Sequence, residues 1–251
     1  MIGSAAATFE RETAVLAGFV HGLAARDLPP FGAFSYASSA AVYGGAIRPP
    51  FTESTRPAPT SSYAMAKHAQ ELEVSEALTG RLSHVIGRIS TLYGPGQDMT
   101  KGQGLVSIMC LQAARRQPVK IFVPMDTLRD YIYVDDAAEA LRRFVCAART
   151  ARDTATRVRV VASGSAVTVA ELAARVRAVG HRHIGIHQAA VPPSRAHVRD
   201  LRLRSEHRDE LAGMPWTPLP VGVQAVYADV MSRTVLAPGR GDRSASGSPA
   251  R

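Results

Sequence analysis

Tyr63 and Lys67, in the run Tyr63-Ala-Met-Ala-Lys67, stand four residues apart within a stretch of helical spacing, which puts both side chains on one face. An ammonium a few ångströms from a phenol favours the phenolate and draws a tyrosine pKa from about 10 toward neutrality. A tyrosine tuned in this way passes a proton to and from a hydroxyl or a carbonyl. The competing reading is a tyrosine packed on its helix beside a solvated lysine. Twenty-four residues before Tyr63 lies Ser39, in the run Ser38-Ser39-Ala40-Ala41-Val42-Tyr43-Gly44. That run ends a predicted strand, and ligands of parallel sheets collect beyond the carboxyl ends of strands. Ser and Gly there are also ordinary turn residues.

Such a pair needs a strand, a loop and a helix in that order, and the chain supplies them. Apolar residues Phe9, Val15, Leu16, Phe19, Val20 and Leu23 predict a helix over 8–27, stopped by Pro29 and Pro30. Residues 33–37 read as a buried strand, 44–60 as a proline-rich loop, 62–79 as a helix and 83–89 as a strand. Tyr93-Gly94-Pro95-Gly96 marks a turn, followed by a helix over 103–116. Beyond it come a strand at 119–123, an extended piece at 130–134, a helix at 136–148 and a strand at 158–162. Thr168-Val-Ala-Glu171 predicts a capping box opening a helix to Val179, and 220–232 a last helix. Strands alternating with helices predict an α/β fold, a parallel sheet with helices on both faces. The tail 236–251, rich in Gly, Ser, Arg and Pro, is expected to be disordered.

Composition narrows the partners. A chain of 251 residues with 46% hydrophobic and 20% charged residues suits a soluble domain with one sizeable core. It holds no apolar run long enough to span a membrane, and its first residues lack the basic-then-apolar order of a secretory signal. The cytoplasm is the expected compartment. The net charge of +9 comes from 27 Arg and 3 Lys, scattered and mixed with acidic residues, without interleaved aromatics. We expect no nucleic-acid partner; a nucleotide diphosphate would suit the same charge. Cys110 and Cys146 fall in apolar helical patterns and are expected as buried thiols. Asp135-Asp136 lacks a nearby His cluster, and Asp135 is expected to cap the following helix. His181, His183 and His187 alternate like a solvated strand edge, so no metal site is expected.

Taken in order, YASSAAVYG, the loop ending in SSYAMAK, GRISTLYGPGQ and LRDYIYVDDAAEAL resemble the extended short-chain dehydrogenase/reductase family, the NAD-dependent epimerases and dehydratases of nucleotide sugars. The resemblance covers about residues 8–235. It implies Tyr63 as acid/base, Lys67 on the nicotinamide ribose and Ser39 on the reacting sugar oxygen. It also places Ser38 and Ser90 on the cofactor, and Thr91 and Arg129 on the substrate. The cofactor so implied is NAD, with NADP as the alternative. Family dehydratases carry Asp-Glu directly after the hydroxyl residue; here those positions are Ala40 and Ala41, and neither transfers a proton. The expected activity is therefore nucleotide-sugar epimerisation through transient oxidation at a sugar hydroxyl. The alternatives are an NAD(P)-dependent reductase of the same family, or an inactive fragment acting only by association.

The resemblance sets Arg129 on a substrate diphosphate, against the alternative of an ion pair with Asp130 or Asp126. Thr91 stands where the family usually has Asn. Arg195 and Arg199 are both candidates for a second substrate arginine. No Gly-x-x-Gly-x-x-Gly run precedes Tyr63, so the Gly-rich pyrophosphate loop is absent from this sequence. The expectation is a partial Rossmann-type sheet lacking its first three strands, roughly 70 to 90 residues, with a smaller C-terminal substrate lobe. In these terms 1–92 and 130–163 form the cofactor domain, and 94–129 and 165–235 the substrate lobe. Family members are often dimers, so a homodimer is the expected assembly if the chain self-associates.

Overall fold

Two strand-forming runs joined through a long helix organise the first half of the molecule. The computed structural model describes residues 2–27, 32–101, 103–181, 185–189 and 198–236. Helix α1 (Ile2–Ala24) leads to strand β1 (Ala33–Ser39), and helix α2 (Ser62–Leu78) leads to strand β2 (Ser83–Ile89). The Ser61 hydroxyl accepts from Ala64 N at 3.2 Å and so caps α2 one residue before Tyr63. After β2 come β3 (Thr91–Tyr93), α3 (Leu105–Arg115), β4 (Val119–Ile121), β5 (Leu128–Tyr133) and α4 (Val134–Ala151). Then follow β6 (Thr156–Val161), β7 (Ala166–Thr168), α5 (Val169–Gly180), β8 (Ile186–Gln188), β9 (Asp200–Leu201) and α6 (Leu219–Leu236). The capping box is present, Thr168 Oγ1 accepting from Glu171 N and the Glu171 carboxylate from Thr168 N.

Strands β1, β2 and β6 form one parallel sheet in that order, with Ser39 beside Ile89 and Ile89 beside Val161. Strand β2 is buried on both faces, as a central parallel strand must be. Its alternate residues serve opposite layers: Ile86 packs with Tyr36, Val20, Val74 and Leu78 under α1 and α2, and Val85 with Ala140 and Phe144 under α4. Gly87 belongs to the α4 face, where a Cβ would fall 2.4 Å from Leu141 Cδ2, so the close helix-to-sheet approach depends on glycine there.

The expected parallel α/β sheet is thus present, with helices on both faces. A second sheet departs from it. Strand β5 pairs parallel with β3 and β9 but antiparallel with β7. A third pairing joins β4 and β8. Helices α3, α5 and α6 close over these pieces around a separate core that includes Met109, Cys110, Leu172 and Val226.

Several expectations are corrected. Helix α4 opens at Val134 behind Tyr133, so Asp135 lies inside its first turn and does not cap it. Cys146 is exposed, whereas Cys110 is buried; the arginine-rich face of α4 left the Cys146 thiol on the solvent side. His187 lies exposed on β8. Pro29, Pro30, His183, Arg195 and the tail from 237 lie outside the described residues. No helix among the described residues is long and apolar enough to cross a membrane.

Candidate active site

At the carboxyl end of the first sheet, β1 runs directly into a short 3-10 turn, Ala40–Tyr43. Ser39 caps that turn: its Oγ accepts from Ala41 N at 3.2 Å, which leaves the hydroxyl proton for another acceptor. Beside it, β2 delivers Ser90 and Thr91. Ser90 N donates to Val161 O at 2.9 Å, and its buried Oγ has no hydrogen-bond partner. A buried hydroxyl left unbonded is costly. Thr91 opens β3, opposite Tyr131. Burial pushes the Tyr131 phenol up to about 12, so it stays protonated.

Tyr63, in the first turn of α2, is exposed, and its ring lies 5.8 Å from that of Phe9 on α1. Lys67 is one turn further on. Its Nζ donates to Tyr36 Oη at 3.1 Å and to Ala37 O at 3.3 Å, and stands 5.0 Å from the Tyr36 ring centroid. Burial lowers the Lys67 pKa, and the charges of Glu12 and Glu71 partly offset that. The sheet and α2 therefore bring Ser39, Lys67 and Ser90 to the same end of the fold, with Tyr63 on the helix above them.

Ser38 points the other way along the strand, into the layer beneath α2, where it is buried and donates to Glu71 Oε1 at 2.6 Å. Glu71 also accepts from Arg88 Nε at 3.0 Å and Nη2 at 2.7 Å, a bidentate pair. Arg88 Nη1 reaches Tyr43 Oη at 3.0 Å, and that hydroxyl donates to Thr52 O in the proline-rich loop at 2.8 Å. Burial alone would lower the Arg88 pKa, but its bonds with Glu71 and Tyr43 carry it well above the ordinary range, and it stays charged. Glu71, Arg88, Tyr36 and Gln70 were not singled out from the sequence. Two signals were available: an arginine in a strand expected to be central to the sheet needs a buried counter-charge, and Glu71 follows Lys67 by one helical turn.

Arg129 on β5 is half-buried and donates to the Leu128 carbonyl at 2.8 Å. Burial lowers its pKa. Neither carboxylate offered to it by the sequence holds it. The Asp130 carboxylate accepts from Ser163 N, Ser163 Oγ, Gly164 N and Ser165 N at 2.7–3.1 Å, and Asp126 pairs with Arg199. Arg199 is thereby placed on an exposed ion pair. Asp136 accepts from Thr217 N and Oγ1, both at 2.8 Å. Among the described residues no cluster has a metal-ligand arrangement.

A model of the NAD dependent epimerase/dehydratase family matches residues 4–160. The dTDP-L-rhamnose 4-epimerase of Burkholderia thailandensis is 28% identical over 181 residues, which is 70% of this chain and 47% of that protein. The dTDP-4-dehydro-6-deoxyglucose reductase of Escherichia coli is 31% identical over 114 residues, 44% of this chain and 34% of that protein. Among solved structures, MoeE5 in complex with UDP-glucuronic acid and NAD superposes with a TM-score of 0.70 at 26% identity, covering 80% of this chain and 65% of that one. The UDP-glucuronic acid 4-epimerase of Bacillus cereus, bound to UDP-glucuronic acid and NAD, gives a TM-score of 0.75 at 19% identity over 87% of this chain and 67% of its own, a likeness of fold. The chain spans between a third and a half of the length of these two curated relatives.

Proposed function

The chain belongs to the NAD dependent epimerase/dehydratase family, and from that premise we propose that it serves the epimerisation of a nucleotide-linked sugar by transient oxidation at a ring hydroxyl. The observation that carries the substrate class is Arg129: a half-buried guanidinium that neither Asp130 nor Asp126 pairs with, and whose charged neighbour Asp200 is itself bonded to Arg202. A guanidinium in that state suits a diphosphate, which it grips through two donors at once.

The cofactor end fits as well. The unbonded Ser90 hydroxyl and the Lys67 ammonium at the end of β1 are the groups a nicotinamide ribose and carboxamide need. Tyr63, Lys67, Ser90 and the Ser38 main chain would hold that end, since the Ser38 side chain is committed to Glu71. When bound, NAD supplies the hydride acceptor and donor. Tyr63 takes the proton from the reacting hydroxyl and returns it after the sugar presents its other face. Ser39 donates its free hydroxyl proton to the reacting oxygen, and Thr91 lies at the sugar side of the same strand end. Ala40 and Ala41 hold no proton, so no water is eliminated through them.

In this reading 1–92 with 130–163 is the cofactor side, and 94–129 with 165–235 the substrate lobe. Exposed Val15, Phe19, Met65 and Leu72 on α1 and α2 support pairing of two copies through those helices. The relative of 31% identity named as a reductase supports a second reading, net reduction of a keto sugar. Parallel incubations, of nucleotide sugars with NAD and of nucleotide-linked keto sugars with NADH, read by both sugar analysis and NADH absorbance, separate the two. Epimerised sugar without net NADH supports the proposal; net NADH consumption supports the reductase; neither product, with NAD absent from calorimetric titration, overturns both. Tyr63→Phe should lower the rate by about 10²–10⁴-fold if general acid–base catalysis is its role.

A further inference from the structure

Lys67 sits at the head of a hydrogen-bond chain that leaves the site and ends on α1. Its Nζ donates to Tyr36 Oη, Tyr36 Oη donates to Gln70 Oε1, Gln70 Nε2 donates to Thr13 Oγ1 at 3.1 Å, and Thr13 Oγ1 donates to Phe9 O at 2.9 Å. All four bonds run in one sense. That sense is enforced from the far end. Thr13 spends its proton on Phe9 O and so accepts from the amide nitrogen of Gln70. The amide oxygen of Gln70 then faces Tyr36, Tyr36 spends its proton there, and only lone pairs remain toward Lys67. Tyr36 and Gln70 are buried, so water is a poor substitute for either partner.

We propose that Tyr36, oriented through Gln70 by Thr13, is a positioning residue that holds the Lys67 ammonium at the carboxyl end of β1. The inference builds on the reading of Lys67 as the working lysine. The ammonium stands off the hydroxyl end of the Tyr36 ring, 5.0 Å from its centroid, so the hydroxyl is what holds it. Tyr36 stays a neutral acceptor: burial raises its pKa well above the ordinary phenol range, and the Glu71 charge pushes the same way. Phe9 and Thr13 are one helical turn apart on α1, as Tyr63 and Lys67 are on α2. One face of α1 therefore sets both: Phe9 by its ring against Tyr63, Thr13 through the chain to Lys67.

The chain has three lysines, so a protein carrying ¹³Cε-labelled lysine gives three signals, and Lys67→Arg identifies the one of interest. The measurement needs neither NAD nor sugar, so it stands or falls apart from the epimerase reading. Tyr36→Phe keeps the ring and removes the acceptor; the Lys67 titration midpoint should fall, because the charged form loses a hydrogen bond. Thr13→Val frees Gln70 to turn its NH₂ toward Tyr36 and occupy the lone pairs; the midpoint should fall again, by less. Thr13→Ser keeps the hydroxyl and should restore the wild-type titration, which a loss of helix packing would not explain. Unchanged circular dichroism would accompany each variant. A Lys67 midpoint that ignores Tyr36→Phe, or ignores Thr13→Val while responding to Tyr36→Phe, overturns the proposal.

Discussion

The layer under α1 and α2 and the lobe closed by α3, α5 and α6 fill their interiors by different means. In the first, Tyr36, Ser38, Gln70, Glu71 and Arg88 are buried, and each has a bonded partner. In the second, the interior is mostly aliphatic and aromatic, with Val106, Met109, Leu172, Val176, Val223 and Val226 at its centre and the buried Ser107 hydroxyl of α3 bonded to Gln97. Even the thiol there behaves as a hydrophobe: burial pushes Cys110 up to about 12. Apolar packing is non-directional and depends on volume, whereas hydrogen bonds fix particular atoms in particular directions. The polar interior lies beneath Tyr63, Lys67 and Ser39. The fold spends directional bonds where side chains must be held for chemistry, and volume where a lobe need only be solid.

The largest effect should come from breaking the polar layer on one side. Arg88→Met removes three donors and leaves the Glu71 carboxylate buried with Ser38 and His68. An uncompensated buried charge costs about 3–5 kcal/mol. The double variant Glu71→Leu/Arg88→Met removes both charges and should recover most of that loss in urea unfolding, since replacing a buried pair by apolar residues is often neutral. Recovery would show that the pair specifies geometry more than it stabilises. A double variant as unstable as the single would erase the contrast, because the polar layer would then hold the fold as the apolar lobe does.

How much of this could be read beforehand follows the same division. Strand β2 matched its expected bounds, 83–89, because its β-branched Val85, Ile86 and Ile89 form a short run between a helix and a turn cluster. The capping box at Thr168 was legible because it is local chemistry. Strands β3, β7 and β9 span two or three residues each, too short to show a period. The placement of Asp135 and the exposure of Cys146 depended on where α4 starts and how it rolls on the sheet, which spacing leaves open to within a turn. Of the site, Tyr63 with Lys67 and the Ser39 strand end were visible as spaced types. Tyr36, Gln70 and Thr13 were not, since their bonds cross 31 to 57 positions and a strand tyrosine reads as core.

A smaller effect tests the lobe on its own terms. Gly222 of α6 packs on Tyr93; an added Cβ would lie 2.2 Å from Oη and 2.8 Å from Cζ. The Tyr93 ring has little room to move, being edge-on to Tyr131 at 6.4 Å and to Tyr133 at 5.7 Å. Gly222→Ala gains about 1 kcal/mol of helix propensity, but overpacking costs about 1–3 kcal/mol, so the thermal midpoint should fall slightly. Adding Tyr93→Phe removes the Oη and should recover part of the loss. Rescue here comes from removing volume, where in the polar layer it comes from removing charge. A Gly222→Ala variant as stable as wild type would mean the lobe is looser than its close contacts imply.

The smallest effect lies at the opposite end of the first sheet, where a polar group is buried away from the site. His84 on β2 is fully buried, with Nδ1 at 2.9 Å from Leu82 O and Nε2 at 2.9 Å from Thr156 Oγ1. Burial lowers its pKa, Arg157 adds to the lowering, and the Leu82 carbonyl opposes both. The folded value therefore lies below the unfolded value of about 6.5. Above that pH both states are neutral and the imidazole contributes in full. As the pH falls from about 6.5 through the folded value, the unfolded chain binds the proton first and stability is lost. A His84→Gln variant keeps a hydrogen-bonding side chain without this titration. The stability gap between wild type and variant, measured by urea unfolding across pH, should then shift against the wild type on the acid side alone. A gap independent of pH would mean that the amino end of the sheet opens to admit water and charge. The dry, directional burial would then be confined to the end that carries Lys67.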